Sequence, residues 1–412
     1  MRHNIPGPAG FTSDPAAGTS QNICCEDRFE GQLFLPAAAD PLSSGEVRMN
    51  IFVTGGAGYI GSVCVEELLN AGHQVTAYDN LSEGHRSALD PRAQFVLARP
   101  EKPGNILDVL RKAKPDAIMH FAANALVGES MKNPAKYFHN NVVNGLNLLN
   151  AAVECGIKKF VFSSSCATYG VPDRVPITED TPQRPVNPYG ESKRIFEQIL
   201  QWYERIYGLE FIAFRYFNAA GASARFGEDH WVETHLIPNV LFVALGRKPY
   251  CEIYGTDYST PDGTCIRDYV HVIDLARAHI LGLEPGRKGF YNLGNGDGAS
   301  VREVIRTCEQ VTGKAIRAVE KPRRAGDPPR LVASAEKAIR ELGWKPRFSK
   351  LREIVASAWA WHRAHPNGYR DEEVPAEPVK PLRPRERRDG QRRKSKIVMR
   401  PFSTTHGNFS RK

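Results

Sequence analysis

Three glycines, Gly55, Gly58 and Gly61, stand at three-residue spacing in Gly55-Gly56-Ala57-Gly58-Tyr59-Ile60-Gly61, after an apolar run at 51–54 and before a helix-length stretch at 62–71. A short apolar run bounded by glycine reads as a buried strand, and the stretch that follows as a helix. Between a strand and a helix, glycines so spaced permit a tight turn and let backbone approach a pyrophosphate. The anion then rests on N–H groups at the helix's positive end. A second strand-like run at 74–78 leads into Asp79, about 20 residues on, where a carboxylate can accept hydrogen bonds from an adenosine ribose. No compensating Arg stands near it, which favours NAD over NADP, since a 2′-phosphate would be repelled. Asn80 beside it can donate to the ribose or phosphates.

Further buried-strand runs at 117–121 and 160–163 alternate with a helix-length segment at 142–155. Alternation at this spacing builds βαβ units into a doubly wound parallel sheet covered on both faces, an α/β fold. Beyond residue 226 the order loosens, with a Pro/Gly-rich insertion at 254–264, as suits a smaller C-terminal α/β lobe closing over a ligand. The expected organisation is a dinucleotide domain at 49–222 and a lobe at 223–370 that mainly binds substrate, with segments near 265–280 returning to the first domain. Residues 1–48, rich in Pro, Gly, Ala and Ser, read as a disordered extension or an over-long start, and 371–412 as a disordered basic tail.

The net charge of +9 bears on partners only once it is located. Between 380 and 412 stand twelve Lys or Arg against Glu386 and Asp389, which leaves the rest of the chain at −1. Only the tail suits a nucleic acid or another anionic surface; the body is neutral. Neither a long apolar span nor a signal peptide is legible, so no membrane is expected. The eight cysteines, with Cys24 and Cys25 adjacent, show no Cys-x-x-Cys pair and no nearby His at zinc spacing. They read as reduced thiols of a cytoplasmic protein, with no metal site.

Tyr189-Gly190-Glu191-Ser192-Lys193 opens a helix, and a spacing of four puts Tyr and Lys on one face. A free phenol, with its pKa of about 10, becomes a useful base only if a cation stabilises the phenolate, a task Lys193 and a positive nicotinamide ring would share. Upstream, a strand-like run ends in Ser163-Ser164-Ser165, where Ser165 can share a proton with Tyr189 or a substrate.

Taken together, these stretches resemble the extended short-chain dehydrogenase/reductase family with its Rossmann-type fold, and within it the UDP-glucose 4-epimerases and their UDP-pentose relatives. Further matches are His120-Phe121-Ala122-Ala123, Arg215-Tyr216-Phe217-Asn218, Tyr291-Asn292-Leu293-Gly294 and Arg323-Arg324-Ala325-Gly326-Asp327, so that nearly all of 49–366 is covered. The resemblance implies NAD-dependent epimerisation at C4 of a UDP-hexose through a transient 4-keto sugar, by a homodimer, with Tyr189, Lys193 and Ser165 catalytic. It implies NAD held by Gly55, Gly58, Tyr59, Ile60, Gly61, Asp79, Asn80, Phe121, Ala122, Ala123, Asn140, Ser163, Tyr189, Lys193 and Tyr216. The UDP-sugar would meet Ser165, Tyr189, Asn218, His235, Leu236, Arg267, Arg324 and Asp327, with Tyr254 against uracil. Two arginines suit a diphosphate because each guanidinium is a planar fork of donors.

Ser164-Ser165-Cys166-Ala167 carries no added acid where the related dehydratases and decarboxylases have one, which leaves simple epimerisation. The chain departs from the family in Arg99, which stands at the usual adenine-contact acid, in the run His230-Trp231-Val232-Glu233, and in Leu331, at the position that screens N-acetyl groups. Two alternatives stay open: a UDP-arabinose/UDP-xylose 4-epimerase, and a non-catalytic NAD-binding protein acting through its basic tail.

Overall fold

The computed structural model describes residues 48–98, 105–324 and 327–371. The N-terminal extension with Cys24 and Cys25, Arg99, Ala325, Gly326 and the tail beyond Asp371 lie outside the described residues. Six parallel strands run in chain order: β1 (Asn50–Thr54), β2 (Gln74–Asp79), β3 (Gln94–Leu97), β4 (Ala117–His120), β5 (Lys159–Ser165) and β6 (Glu210–Tyr216). A seventh, Gly289–Leu293, joins them in the order β3-β2-β1-β4-β5-β6-Gly289–Leu293. The order reverses between β1 and β4, and in such sheets a ligand crevice opens at the carboxyl ends of the strands flanking that point.

Period-two alternation sends successive side chains to opposite faces. Ile51 and Val53 on β1, Met119 on β4 and Val161 on β5 join one core, while Phe52, Ile118, Phe160 and Phe162 join another. Both faces are buried because helices cover both, which is why the strands read as continuous apolar runs. The first core takes α1 (Tyr59–Asn70). The second takes α2 (Asn105–Ala113), and beyond the short α3 (Val127–Ser130) and α4 (Pro134–Phe138) it takes α5 (Gly145–Glu154) and α6 (Pro188–Tyr207).

A separate core gathers around α7 (Leu236–Ala244), with Ile237, Val240 and Leu241 packed against Val304, Ile305, Ile354 and Val355. The chain then returns to the sheet. Val272, Leu275 and Ala276 of α8 (Val272–Leu281) share the core of Val53, as do Leu293, Leu342 and Trp344. This return runs well past residue 280, because strand Gly289–Leu293 pairs with β6 and Trp344 caps the same face.

At the C-terminal end of the described chain, Tyr369 is anchored rather than loose. Its phenol accepts from the Gly227 N–H at 3.0 Å and its own N–H donates to Asp229 at 2.9 Å. Asp371 accepts from the Ser87 N–H at 2.8 Å and the Ser87 hydroxyl at 2.5 Å. Deleting 372–412 is therefore expected to leave melting temperature and steady-state activity unchanged. Cutting after His365 removes the Tyr369 and Asp371 contacts, about 3 kcal/mol, or roughly 6–12 °C in Tm. Thermal melts of the two truncations check this, and equal melting would show the anchor to be idle.

Candidate active site

Gly55 follows β1 in the left-handed region at φ +73°, and a Cβ there would stand 2.6 Å from the Ala122 nitrogen. Only glycine meets both demands. At Gly61 a Cβ would run into the Gly55 carbonyl, so the first turn of α1 packs on its own approach. Gly58 is the N-cap of α1, with no side-chain cap and no acid in the first turn, which leaves the positive helix end suited to an anion. It faces a cavity of about 360 Å³ whose lining includes Gly55, Gly58, Asp79, Asn80, Ala122 and Asn140.

Asp79 latches this turn: its carboxylate accepts from the N–H groups of Ala57 at 3.0 Å and Leu81 at 2.8 Å. Burial raises its pKa, and those backbone donors work the other way. The Asn80 side-chain oxygen is committed to Ser82 at 2.8 Å, which leaves its amide N–H groups as donors. Phe121 and Ala123 also line the cavity. Asn140 lies in a π-wound stretch, His139–Asn144, and wider winding of this kind is frequent at functional sites. An uncapped helix end, a left-handed glycine and a buried acid at the end of β2 fit an NAD-type dinucleotide.

Two of the expected cofactor residues, Tyr59 and Ile60, are not among the residues that line the cavity. The Tyr59 hydroxyl donates to the Gly221 carbonyl at 2.7 Å, and Ile60 packs on the core of β1. Their side chains turn away because the first turn of α1 needs packing partners as well as an anion.

The tyrosine helix starts where the sequence says it must. Asn187 caps α6 by accepting from the Gly190 N–H at 2.8 Å, Pro188 fills the first turn, and Gly208 ends the helix in the left-handed region. Tyr189 and Lys193 thus lie one turn apart, beside the carboxyl end of β5. Lys193 is 3% exposed, and its Nζ donates to the Ser163 carbonyl at 2.7 Å and stands 5.9 Å from the Tyr189 ring centre. Ser163 and Tyr216 share a hydroxyl–hydroxyl hydrogen bond behind it. Ser165 accepts from the Ala167 N–H at 3.1 Å and also partners the Tyr189 phenol.

In the protein alone, burial and one hydrogen bond dominate the Tyr189 phenol. Burial pushes Tyr189 up to about 12, and the bond with Ser165 is what pulls it back. Burial likewise takes Lys193 down to about 7, against the pull of Glu197. With Nζ donating to the Ser163 carbonyl, Lys193 is not among the causes of the Tyr189 shift.

Beneath these groups lies a network that the sequence reading missed. Arg215 of β6 donates to both Glu197 oxygens at 3.0 and 2.7 Å, and Glu197 also accepts from Ser164 at 2.5 Å and Gln183 at 2.7 Å. Asn141 bonds both the N–H and the carbonyl of Asn124 and the Ser192 hydroxyl at 3.0 Å, tying α6 to the loop after β4. Spacing gave a signal for Glu197, four residues after Lys193 on the same face; for Asn141 there was none.

The expected substrate residues fall into smaller groups. Arg267 is already paired with Asp327 at 2.8 Å and donates to the Pro328 carbonyl at 2.9 Å. Arg324 lies 3.9 Å over the Tyr254 ring, stacked rather than extended. Asn218 begins a short strand that pairs with Tyr269–His271. His235 and Leu236 open α7, with the His235 ring held by Glu228 and Glu233, each at 2.9 Å. Leu331 packs beside Tyr169, Ile177 and Phe217.

A glycine turn at the switch point of a seven-stranded parallel sheet, with a tyrosine–lysine helix beside β5, defines a nucleotide-dependent α/β protein. Residues 51–294 match the NAD dependent epimerase/dehydratase family, and the chain belongs to that family. It is 50% identical over 331 residues to the UDP-glucose 4-epimerase of Halalkalibacterium halodurans, a match covering 79% of this chain and 98% of the relative. To that of Lacticaseibacillus casei it is 51% identical over 329 residues, 78% of this chain and 99% of the relative. Among solved structures, the Brucella ovis UDP-glucose 4-epimerase in complex with NAD is similar at a TM-score of 0.73 and 46% identity, covering 75% of this chain and 97% of that one.

Proposed function

We propose that this chain interconverts UDP-glucose and UDP-galactose by NAD-dependent epimerisation at C4 of the hexose. The observation that carries the reading is the convergence of Tyr189, Ser165 and Lys193 at the end of β5 in a sheet whose switch-point cavity fits a dinucleotide. Tyr189 takes the proton of the sugar 4-hydroxyl as C4 becomes a keto carbon, and returns it after the sugar has turned its other face. Ser165 shares that proton, and Lys193 fixes the strand end through the Ser163 carbonyl. NAD, when bound, supplies reversible hydride acceptance at C4 and a cationic ring. Gly55, Gly58 and Asp79 hold it, while Arg267, Arg324, Asp327, Tyr254 and the start of α7 meet the UDP moiety. Neither the UDP-pentose reading nor the non-catalytic one is favoured: the relatives above are named for UDP-glucose, and Tyr189, Ser165 and Lys193 come together at the end of β5. Chromatography of UDP-galactose incubated with the purified protein tests the reading. Appearance of UDP-glucose supports it, and no conversion by protein that retains NAD would overturn it.

Asp79→Ala is expected to weaken NAD retention about tenfold or more, since the carboxylate both latches the turn and faces the ribose. Wild-type protein reconstituted with NADP is expected to stay inactive, because the added phosphate would meet that carboxylate. Equal activity with NADP would refute this role.

The reading includes a homodimer in the cytoplasm. Trp202, Ile206 and Tyr207 of α6 are exposed, as are Val127, Met131 and Val143 on the neighbouring elements. Exposed apolar side chains on elements that pack together suit a second copy of the chain. Light scattering on the eluting protein measures the mass. Among the described residues no helix is long and apolar enough to cross a membrane, and Cys64, Cys155, Cys166, Cys251, Cys265 and Cys308 are free thiols, as a reducing compartment would keep them.

A further inference from the structure

Glu228, His230, Glu233 and His235 fall within eight residues of the loop that leads into α7, and each offers one ligand atom within 4.8 Å of all the others. From this geometry we propose a binding site for a zinc-class divalent transition-metal ion, with these two imidazoles and two carboxylates as its ligands. Tetrahedral coordination by N and O donors at ~2.0–2.2 Å sets donor–donor edges of roughly 3.3–3.6 Å. The edges present are 3.4 Å from Glu228 to His230, 2.9 Å from Glu228 to His235 and 2.9 Å from Glu233 to His235. The two shorter of these edges open by about half an ångström to seat an ion, and the remaining edges lie within 4.8 Å.

Two further observations point to a ligand. The Glu233 side chain is 6% exposed, yet its Oε2 is buried with no hydrogen-bond partner, a costly state that an ion would relieve. The His235 ring is 43% exposed, which gives an ion a way in from solvent. Mixed imidazole and carboxylate donors favour zinc over magnesium or calcium, which prefer all-oxygen sets.

The surroundings aim the four ligands inward. Asp229, between two of them, faces away and accepts from the Tyr369 N–H at 2.9 Å. The Asn239 amide donates to the His235 carbonyl at 2.7 Å, pinning the far end of the loop to α7. An ion here would lock the approach to α7 beside the glycine turn, where the Tyr59 ring stands edge-on to His230 at 6.3 Å. The sequence reading looked for cysteine-based zinc spacing and so expected no metal; these ligands lie in the run noted only as a departure from the family.

The test uses the full chain, stripped with chelator and titrated with Co²⁺ and Zn²⁺, beside His230→Gln and Glu233→Gln. The wild type is expected to bind one ion at this site with a Kd of about 1 μM or below, and its Co²⁺ form to show the intense visible absorption of four-coordinate cobalt. Each variant is expected to weaken binding about tenfold or more, with circular dichroism unchanged. A wild-type protein without that cobalt absorption, or folded variants that bind as the wild type does, would overturn the site.

Discussion

Tyr189→Phe is expected to lower kcat by about 10²–10⁴-fold while bound NAD and circular dichroism stay as in the wild type. The substitution removes one hydroxyl, the group that partners Ser165, and leaves the ring that packs at the start of α6. Tyr189 is not among the residues lining the cavity of Gly55, Gly58 and Asp79, so cofactor content separates a chemical defect from a binding one. Because burial holds the phenol near 12, proton transfer at neutral pH needs the nearby positive charge that the holoenzyme brings. Near-normal turnover in this variant would sink Tyr189 as the proton acceptor.

What the sequence made legible is what depends on neighbours along the chain. The glycine turn, the cap Asn187-Pro188 and the one-turn spacing of Tyr189 and Lys193 are local, and local backbone chemistry decides them. The βα alternation was readable because strands buried on both faces run continuously apolar. Contacts between distant segments were not readable. Strand Gly289–Leu293 completes the sheet 73 residues after β6 ends, across intervening segments that build another core. Whether Lys193 acts on the phenol or on a carbonyl is set by where Ser163 lies, which spacing alone does not encode. Likewise Tyr59 sits in the motif, but its side chain answers to Gly221, 162 residues away.

The largest stability effect is expected at Glu197, whose carboxylate accepts from Ser164 near the end of β5. Glu197 and Arg215 are 2% and 5% exposed at their side chains and joined by two hydrogen bonds, with Ser164 and Gln183 adding donors to the carboxylate. Arg215 also donates to the Tyr169 hydroxyl at 3.0 Å and the Glu179 carbonyl at 3.2 Å, so this pair joins β5, β6, α6 and the loop at 179. Removing one partner of a buried pair strands the other's charge at a cost of about 3–5 kcal/mol, a large share of the ~5–15 kcal/mol that holds a typical domain together. Glu197→Ala is therefore expected to lower Tm by roughly 6–20 °C, and to depress activity further because Glu197 supports the charge on Lys193. Replacing both partners by apolar residues, Glu197→Leu with Arg215→Met, is expected to recover much of the lost stability without the lost activity, since no charge is then left buried while Ser164 and Lys193 still lack their carboxylate. Calorimetric melts of the single and double variants decide the matter. A Glu197→Ala protein melting within about 2 °C of the wild type would show that water reaches Arg215 and that the pair does not hold the end of β5.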